Sequence, residues 1–208
     1  MKLVYFAQDL SDPAIHRRVR MLRPGFSEIV LLGFRRSAEA VANVEGITPI
    51  DLGRTESGRL MRRVGSVLAV LATLDRHRRA IEGATVVLAR NLEMLAIAAM
   101  AKRSSAPAAP LVFECLDIHR TMVSHSPIGL AVRQLEGHLL RSCDLLVVSS
   151  GGYLSGYFRP VHGPLPPTYV LENKVLESEI GCDPALHQAG QALPPECPGP
   201  RGLRGVHS

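Results

Sequence analysis

Short apolar runs alternate with helical patterns along most of the chain. Each run ends at Gly, Pro or polar residues, which is typical of a strand buried in a parallel sheet. The third run is the weakest, because Pro49 interrupts it and favours a position at the edge of the sheet. The predicted strands lie at 2–7, 28–33, 46–52, 85–89, 111–117, 144–149 and 168–171.

Helical patterns fill the connections between these strands. Asp12 followed by Pro13 predicts the start of the first helix, since aspartate caps helices and proline fits the first helical position. Further helices are predicted at 58–81, 92–102, 128–142 and 151–158. The alternation predicts an α/β fold, a doubly wound Rossmann-like domain with a mainly parallel sheet of about seven strands and right-handed crossovers.

Candidate chemistry lies just after three of the predicted strands, where open α/β sheets bind their ligands. These polar residues are Gln8 and Asp9 after the first strand, Arg90 and Asn91 after the fourth, and Asp117, His119 and Arg120 after the fifth. Asp117 and His119 are the candidate catalytic acid/base pair, because alternate residues of an extended backbone point the same way and histidine transfers protons near neutral pH. The alternative is a helix-capping aspartate beside a surface histidine.

The predicted helix at 58–81 has an apolar centre and basic ends. Its arginines are Arg59, Arg62 and Arg63 at the start, and Arg76, Arg78 and Arg79 at the finish. One interpretation is a sheet-covering helix with solvated ends. The other is a face that contacts an anionic membrane surface.

Composition narrows the function classes. The 208 residues include 24 Lys and Arg against 19 Asp and Glu, a net charge of +5 that suits an anionic partner. Aromatics are only 4% and Trp is absent, so the stacking that supports nucleic-acid binding is not indicated. The chain runs from Met1 straight into a strand, and its longest apolar run, 64–74, is too short to span a bilayer, which predicts a cytoplasmic protein.

The familiar cofactor motifs are absent from the sequence. It contains no GxxxxGK[ST] and no CxxC pair, so a P-loop and a zinc ribbon are not indicated. The first turn, 8–13, has no glycine, so the dinucleotide fingerprint is absent there. We therefore expect no metal and no cofactor in this chain. From about Gly181 the sequence is rich in Pro, Gly and Arg without any period, which predicts a domain over 1–180 and a disordered, possibly frameshifted tail over 181–208.

Several segments in a fixed order resemble the N-terminal domain of family 4 (GT-B) glycosyltransferases, close to the bacterial exopolysaccharide type. The matching segments are Asp12–Val19, Val112–Asp117, Glu136 in a helix that leads into Cys143–Ser150, and Tyr169–Val175. The resemblance covers about residues 1–178. In that family the first domain binds the acceptor and the second binds a nucleotide-sugar donor.

This resemblance implies that Asp117 and His119 lie in the acceptor-side region and that Gln8 and Asp9 lie in the first-strand loop, which lacks the family's glycines. It implies structural roles for Glu136, Ser149 and Asn173. The intact relative is expected to transfer a sugar to a polysaccharide or lipid-linked acceptor, with this chain inactive alone because the donor domain is missing. The alternative is a non-catalytic α/β module that binds an anionic ligand or a protein partner.

Overall fold

A computed structural model describes residues 1–55 and 60–172, except for the side chains at 60–62. Its centre is one parallel sheet of seven strands, in the order β3-β2-β1-β4-β5-β6-β7, so the predicted doubly wound α/β fold is confirmed. The strands are β1 Lys2–Ala7, β2 Glu28–Arg35, β3 Ile50–Arg54, β4 Val86–Arg90, β5 Leu111–Cys115, β6 Leu145–Val148 and β7 Thr168–Val170.

Helices cover both faces of this sheet. The α-helices are α1 Pro13–Leu22, α2 Leu60–Thr73, α3 Arg78–Ile81, α4 Leu92–Ser105, α5 Arg120–Val123, α6 Pro127–Leu140, α7 Gly151–Tyr153 and α8 Arg159–His162. Short 3-10 segments lie at Arg23–Gly25 and Leu74–His77, and a π-helical turn at Leu154–Phe158 joins α7 to α8. Among the described residues, none of these helices has the length and apolar character needed to cross a membrane.

Capping residues set the starts of α1 and α6. The carboxylate of Asp12 accepts from the backbone N–H of Ala14 at 2.8 Å, and proline follows it at the first helical position. Ser126 does the same for α6 by accepting from Gly129 N at 3.1 Å, again before a proline. Both helices therefore begin where side-chain oxygens satisfy amides that have no partner within the helix.

Three elements differ from the sequence prediction. The third strand begins at Ile50 rather than at residue 46, because Gly46 has a φ of +81° in a turn closed by a Val44–Ile47 bridge. The predicted helix 58–81 breaks after Thr73, whose hydroxyl donates to the carbonyl of Ala69 at 3.0 Å and whose backbone leaves the helical region. Helix α5 forms where a loop was expected.

Alternation along the strands divides the core between the two faces of the sheet. On β1, Val4 and Phe6 join the larger cluster that α2, α4 and α6 cover, whereas Leu3 and Tyr5 join the smaller cluster beneath α1. Each of these four side chains is buried. The sheet is thus buried on both faces at its centre, as expected of a parallel sheet.

Gly33 allows the chain to leave β1 across the end of β2. A Cβ atom at this position would lie 2.5 Å from the carbonyl oxygen of Ala7 and 2.8 Å from a methyl carbon of Leu10. Leu10 N also donates to Phe34 O at 2.8 Å, which holds the loop after β1 against β2. The loop that begins with Gln8 therefore depends on a glycine in the neighbouring strand.

We predict that Gly33→Ala destabilises the domain by about 1–3 kcal/mol, because a backbone oxygen must shift to admit the methyl group. The matched control is Gly65→Ala on α2, where an added Cβ meets nothing within 4 Å. That change should stabilise by about 0.5–1 kcal/mol, since alanine is the better helix former. Urea unfolding of both variants measures the difference, and an equal effect of the two substitutions would contradict the close packing at Gly33.

Candidate functional site

The strand order reverses between β1 and β4, which places the expected ligand crevice at the carboxyl ends of these two strands. Gln8 follows β1 and Asn91 follows β4, and the structure brings their side chains together. Asn91 Nδ2 donates a short hydrogen bond to Gln8 Oε1 across the reversal point. Two residues that the sequence predicted for this edge are thus in contact, although 83 positions separate them.

Asn91 has an unusual backbone and an unsatisfied side chain. Its φ of +70° and ψ of 165° lie in a region that non-glycine residues rarely adopt, at a cost of about 1–3 kcal/mol. Its backbone N–H donates to Glu114 O at 3.0 Å, and it is the N-cap residue of α4. Its Oδ1 atom is buried without a hydrogen-bond partner among the described residues. Such strain and missing partners are typical of functional sites.

A buried charge cluster lies close to this crevice, on the face of the sheet that α1 covers. Glu114 of β5 is 1% exposed, and its Oε1 lies 2.5 Å from Nη2 of Arg18 on α1. Its Oε2 accepts from the Tyr5 hydroxyl at 3.3 Å and lies 3.8 Å from Nε of Arg90. Arg90 also donates to the Tyr5 hydroxyl at 3.4 Å. The cluster joins β1, β4, β5 and α1.

Burial controls the chemistry of this cluster. It raises the pKa of the Tyr5 hydroxyl, and the nearby Glu114 carboxylate raises that pKa further, so the phenol stays protonated and donates. Arg90 is only 3% exposed. The structure therefore places Arg90 within the charge cluster and not on the open crevice, where the sequence analysis expected an acceptor-binding side chain.

Asp9 likewise shapes the loop in which it lies. It is 8% exposed, and its Oδ1 accepts from the backbone N–H of Ser11 at 3.1 Å and from the Ser11 hydroxyl at 2.6 Å. Its Oδ2 lies 3.2 Å from Nε of Arg36. These contacts occupy both carboxylate oxygens and fix the turn after Gln8.

The polar residues that follow β5 are exposed at the same end of the sheet, where the strands have their carboxyl ends. Asp117 and Arg120 are both exposed, and the carbonyl of Asp117 accepts from the Cys115 thiol at 3.5 Å. Burial raises the pKa of that thiol to about 12, so Cys115 is a protonated core residue and not a nucleophile. The carboxylate of Asp117 is exposed, so it is accessible to a ligand at this end of the sheet.

His119 is the N-cap residue of α5. Its Nδ1 accepts from the backbone N–H of Thr121 at 3.3 Å and lies 3.0 Å from the Thr121 hydroxyl. Because Nδ1 must keep its lone pair to accept, the hydrogen-bond network assigns the proton of the neutral ring to Nε2. The sequence analysis weighed a capping aspartate against a catalytic pair; the structure instead makes the histidine the cap and leaves its Nε2–H as a donor.

A small recess beside Gln8 contains two residues that the sequence analysis did not assign to the site. Arg63 of α2 pairs with Glu93 in the first turn of α4, and both line the recess with Gln8. Arg63 was predicted to form part of a membrane-facing surface, and the structure instead directs it to a carboxylate at the crevice. The sequence signal for this pair is Glu93 itself, which lies three residues after the last residue of β4.

The other arginines of the predicted basic surface have different surroundings. Arg78 pairs with Glu82 at 2.8 Å on the solvent-exposed side of α3. Arg76 and Arg79 are exposed. Arg59 and the side chain of Arg62 lie outside the described residues. Between the two ends, α2 exposes apolar side chains, with Val64 44% and Leu68 60% exposed.

A second buried carboxylate supports the far side of the sheet. Glu136 of α6 is fully buried, and its Oε2 accepts from the Tyr157 hydroxyl at 2.6 Å and from His162 Nε2 at 2.7 Å. Ser149 donates to the carbonyl of Leu116 at 3.0 Å, which ties the end of β6 to the end of β5. These three hydrogen bonds connect neighbouring elements of the fold, and Asn173 lies outside the described residues.

No three His, Cys, Asp or Glu side chains in the described part of the chain come together as metal ligands would. The polar groups at the crevice are the carboxamides of Gln8 and Asn91 and the side chains of Asp117, His119 and Arg120. Such groups suit the recognition of hydroxyl-rich or anionic ligands.

No family model matches the sequence. The chain is 38% identical over 198 residues to the succinoglycan biosynthesis protein ExoL of Rhizobium meliloti (strain 1021). The alignment covers 95% of this chain and 49% of that protein, so the chain spans about half the length of the curated relative it matches.

Solved structures share the fold at low sequence identity. A sucrose-phosphate synthase structure from Thermosynechococcus elongatus aligns with a TM-score of 0.56 and 10% identity, covering 91% of this chain and 97% of that one. Phytolacca americana UGT2, complexed with UDP-2fluoro-glucose and pterostilbene, aligns with a TM-score of 0.55 and 10% identity, covering 86% and 55%. The chain is thus similar to about half of a succinoglycan biosynthesis protein, and it shares its fold with these solved structures.

We predict that Glu114→Ala lowers the free energy of unfolding by about 3–5 kcal/mol, because it leaves two buried guanidinium groups without their carboxylate. Replacing the whole cluster with Y5F, R18M, R90M and E114L should recover most of that loss, since no buried charge then lacks a partner.

The control for this prediction is Glu82→Ala, which breaks the exposed pair with Arg78 and should cost less than about 1 kcal/mol. Urea denaturation measures all three variants. An equal loss of unfolding free energy in Glu114→Ala and Glu82→Ala would show that the buried cluster does not hold the central strands and α1 together.

Proposed function

We propose that this chain forms the acceptor-binding half of a glycosyltransferase, which in its intact form transfers a sugar from a nucleotide sugar to a polysaccharide or lipid-linked acceptor. The observation that carries the proposal is the Gln8–Asn91 contact across the strand reversal. Similarity to a succinoglycan biosynthesis protein supports the polysaccharide context.

Within this proposal the accessible polar groups of the crevice bind the acceptor. Asn91 and Gln8 present carboxamide groups that suit sugar hydroxyls. His119 donates through Nε2–H to an acceptor oxygen, and Arg120 attracts an anionic group. Asp117 accepts the hydrogen bond of the reacting hydroxyl and takes its proton as the new glycosidic bond forms and the nucleotide leaves with the electrons of the old bond.

Buried residues contribute to this function indirectly. Arg90 lies next to Asn91 in sequence and is fixed by Glu114, so it holds the strained turn in place. Asp9 fixes the turn after Gln8 through Ser11 and Arg36. Both residues were expected to bind the acceptor, and the proposal assigns them to positioning instead.

The chain alone is proposed to be inactive in transfer. It spans about half the length of its relative, and the proposal assigns donor binding to the other half. Transition-state charge on a departing nucleotide needs groups arranged around its phosphates. In this proposal the described residues form the acceptor side of the crevice, and the other half supplies the groups around the nucleotide.

A membrane contact is proposed for α2. Val64 and Leu68 are exposed on α2, and Arg76 and Arg79 are exposed in the segments that follow it. Aliphatic side chains flanked by arginines suit the interface of an anionic bilayer. This contact would bring a lipid-linked acceptor close to the crevice, because Arg63 of the same helix lines the recess beside Gln8.

The transfer proposal predicts that a fusion of residues 1–172 to the second half of ExoL restores succinoglycan production in a Rhizobium meliloti strain that lacks ExoL. Asn91→Ala and His119→Asn should each lower production by about tenfold or more, because each removes a hydrogen bond to the acceptor. Arg141→Met, an exposed change at the C-cap of α6, is the control and should leave production unchanged.

Two outcomes would contradict the proposal. If the fusion folds and is expressed but restores no production, acceptor binding does not lie in this half, and a non-catalytic binding module becomes the better account. Sugar transfer by the isolated 208-residue chain would contradict its proposed dependence on a second half.

The membrane proposal predicts that the chain co-sediments with vesicles rich in anionic lipid and not with phosphatidylcholine vesicles. Leu68→Glu and Arg79→Glu should each weaken binding by about tenfold, since each places negative charge at the contact. Met100→Glu, at a half-exposed apolar position on α4, is the matched control. Equal weakening by all three changes would indicate general charge repulsion and no specific α2 contact.

A further inference from the structure

We infer that Arg133 of α6 is a positioning residue for His119, because it fixes the single helical turn that His119 caps. The inference rests on the proposed role of His119 at the crevice. Its structural part, the dependence of the His119 cap on Arg133, is independent of any activity.

Helix α5 is too short to be stable without support. It contains four residues, Arg120–Val123, and a single turn gains too few hydrogen bonds to offset its ordering entropy. Its first-turn amide, Thr121 N–H, has the His119 ring as its acceptor. The ring therefore keeps its orientation only while the turn persists.

Arg133 supports the other end of this turn. Its Nη1 donates to Met122 O at 2.8 Å and to Ser124 O at 2.6 Å. Both oxygens belong to the last residues of α5 or to its cap, where carbonyls have no partner within the helix. A guanidinium is suited to this task because its charge strengthens both hydrogen bonds and its planar shape fixes their direction.

Gly129 allows α6 to come close enough for these bonds. A Cβ atom at position 129 would lie 2.5 Å from Ser124 O and 2.6 Å from Thr121 O. Met122, buried at 6% exposure, holds the middle of the turn in the core. The turn is thus fixed by the His119 cap, by the burial of Met122, and from α6 by Arg133 and the close approach at Gly129.

This arrangement determines which nitrogen His119 offers to a ligand. While α5 is formed, Nδ1 is engaged by Thr121, and Nε2–H is the free donor. If the turn opens, Nδ1 loses the Thr121 N–H donor and the ring rotates without a fixed hydrogen-bond partner. Arg133 therefore sets the direction of a hydrogen bond that it does not make itself.

The test is hydrogen exchange and histidine ring ¹⁵N spectroscopy on the 208-residue chain at about pH 8, where an ordinary imidazole is neutral. In Arg133→Met, the Thr121 amide should exchange about tenfold faster, and the His119 ring ¹⁵N shifts should move toward the tautomer-averaged values of a flexible side chain. Arg133→Lys should restore part of the protection. Arg141→Met, the same change about two turns further on at the C-cap of α6, should leave both signals within about twofold of the parent.

Gly129→Ala is the second variant and should reproduce the Arg133→Met effect, with Gly65→Ala as its control. The amide of Phe113 in β5 reports whether the sheet remains folded in each variant. If Arg133→Met lowers the unfolding midpoint but leaves Thr121 and His119 unchanged, Arg133 has only a general structural role and the inference is overturned. Because no activity is measured, failure of the proposed transferase function would not produce that result.

Discussion

The buried carboxylate of Glu114 is the constraint on which the centre of the structure depends. A carboxylate that is 1% exposed must be paired and hydrogen-bonded, since desolvation of an isolated charge costs several kcal/mol. Arg18, Arg90 and Tyr5 provide the partners, and each comes from a different element. The hydrogen bonds and ion pairs of the Glu114 carboxylate therefore fix α1 against β1, β4 and β5 near the carboxyl ends of these strands, where the crevice lies.

The strained turn at Asn91 follows from that arrangement. Arg90 is held in the cluster, and the Asn91 amide is bonded to the backbone of Glu114, so the chain must turn sharply to begin α4. The strain is compensated by the charge cluster on one side and by Gln8 on the other. What results is a rigid pair of carboxamides at the strand reversal, which is a suitable surface for hydroxyl groups.

Helix α6 provides a second support on the opposite side of β5. Glu136 binds Tyr157 and His162 and so connects α6 to the π-helical turn and α8. Arg133, one turn earlier, binds the carbonyls of α5. One helix thus holds both the turn that orients His119 and the segment that leads to β7, while the residues that face the crevice make few of these contacts themselves.

The sequence predicted the seven strands and their parallel arrangement because apolar runs between helical patterns have few alternatives. It predicted that Gln8 and Asn91 share an edge because carboxyl ends of parallel strands meet there. It missed α5, because a single turn depends on Arg133, which lies ten residues beyond it. It missed the Glu114 cluster and the Arg63–Glu93 pair, because pairing between distant elements leaves no period in the sequence. A charged residue inside an apolar strand, as at Glu114, was the one available signal.

The most direct test of the crevice as an acceptor site is NMR titration of the ¹⁵N-labelled chain with oligosaccharide fragments of succinoglycan. If the crevice binds the acceptor, the side-chain amide signals of Gln8 and Asn91 and the ring signals of His119 shift first and saturate together. Shifts confined to the groove between α6 and Pro164–Pro167, with Gln8 and Asn91 unchanged, would contradict it.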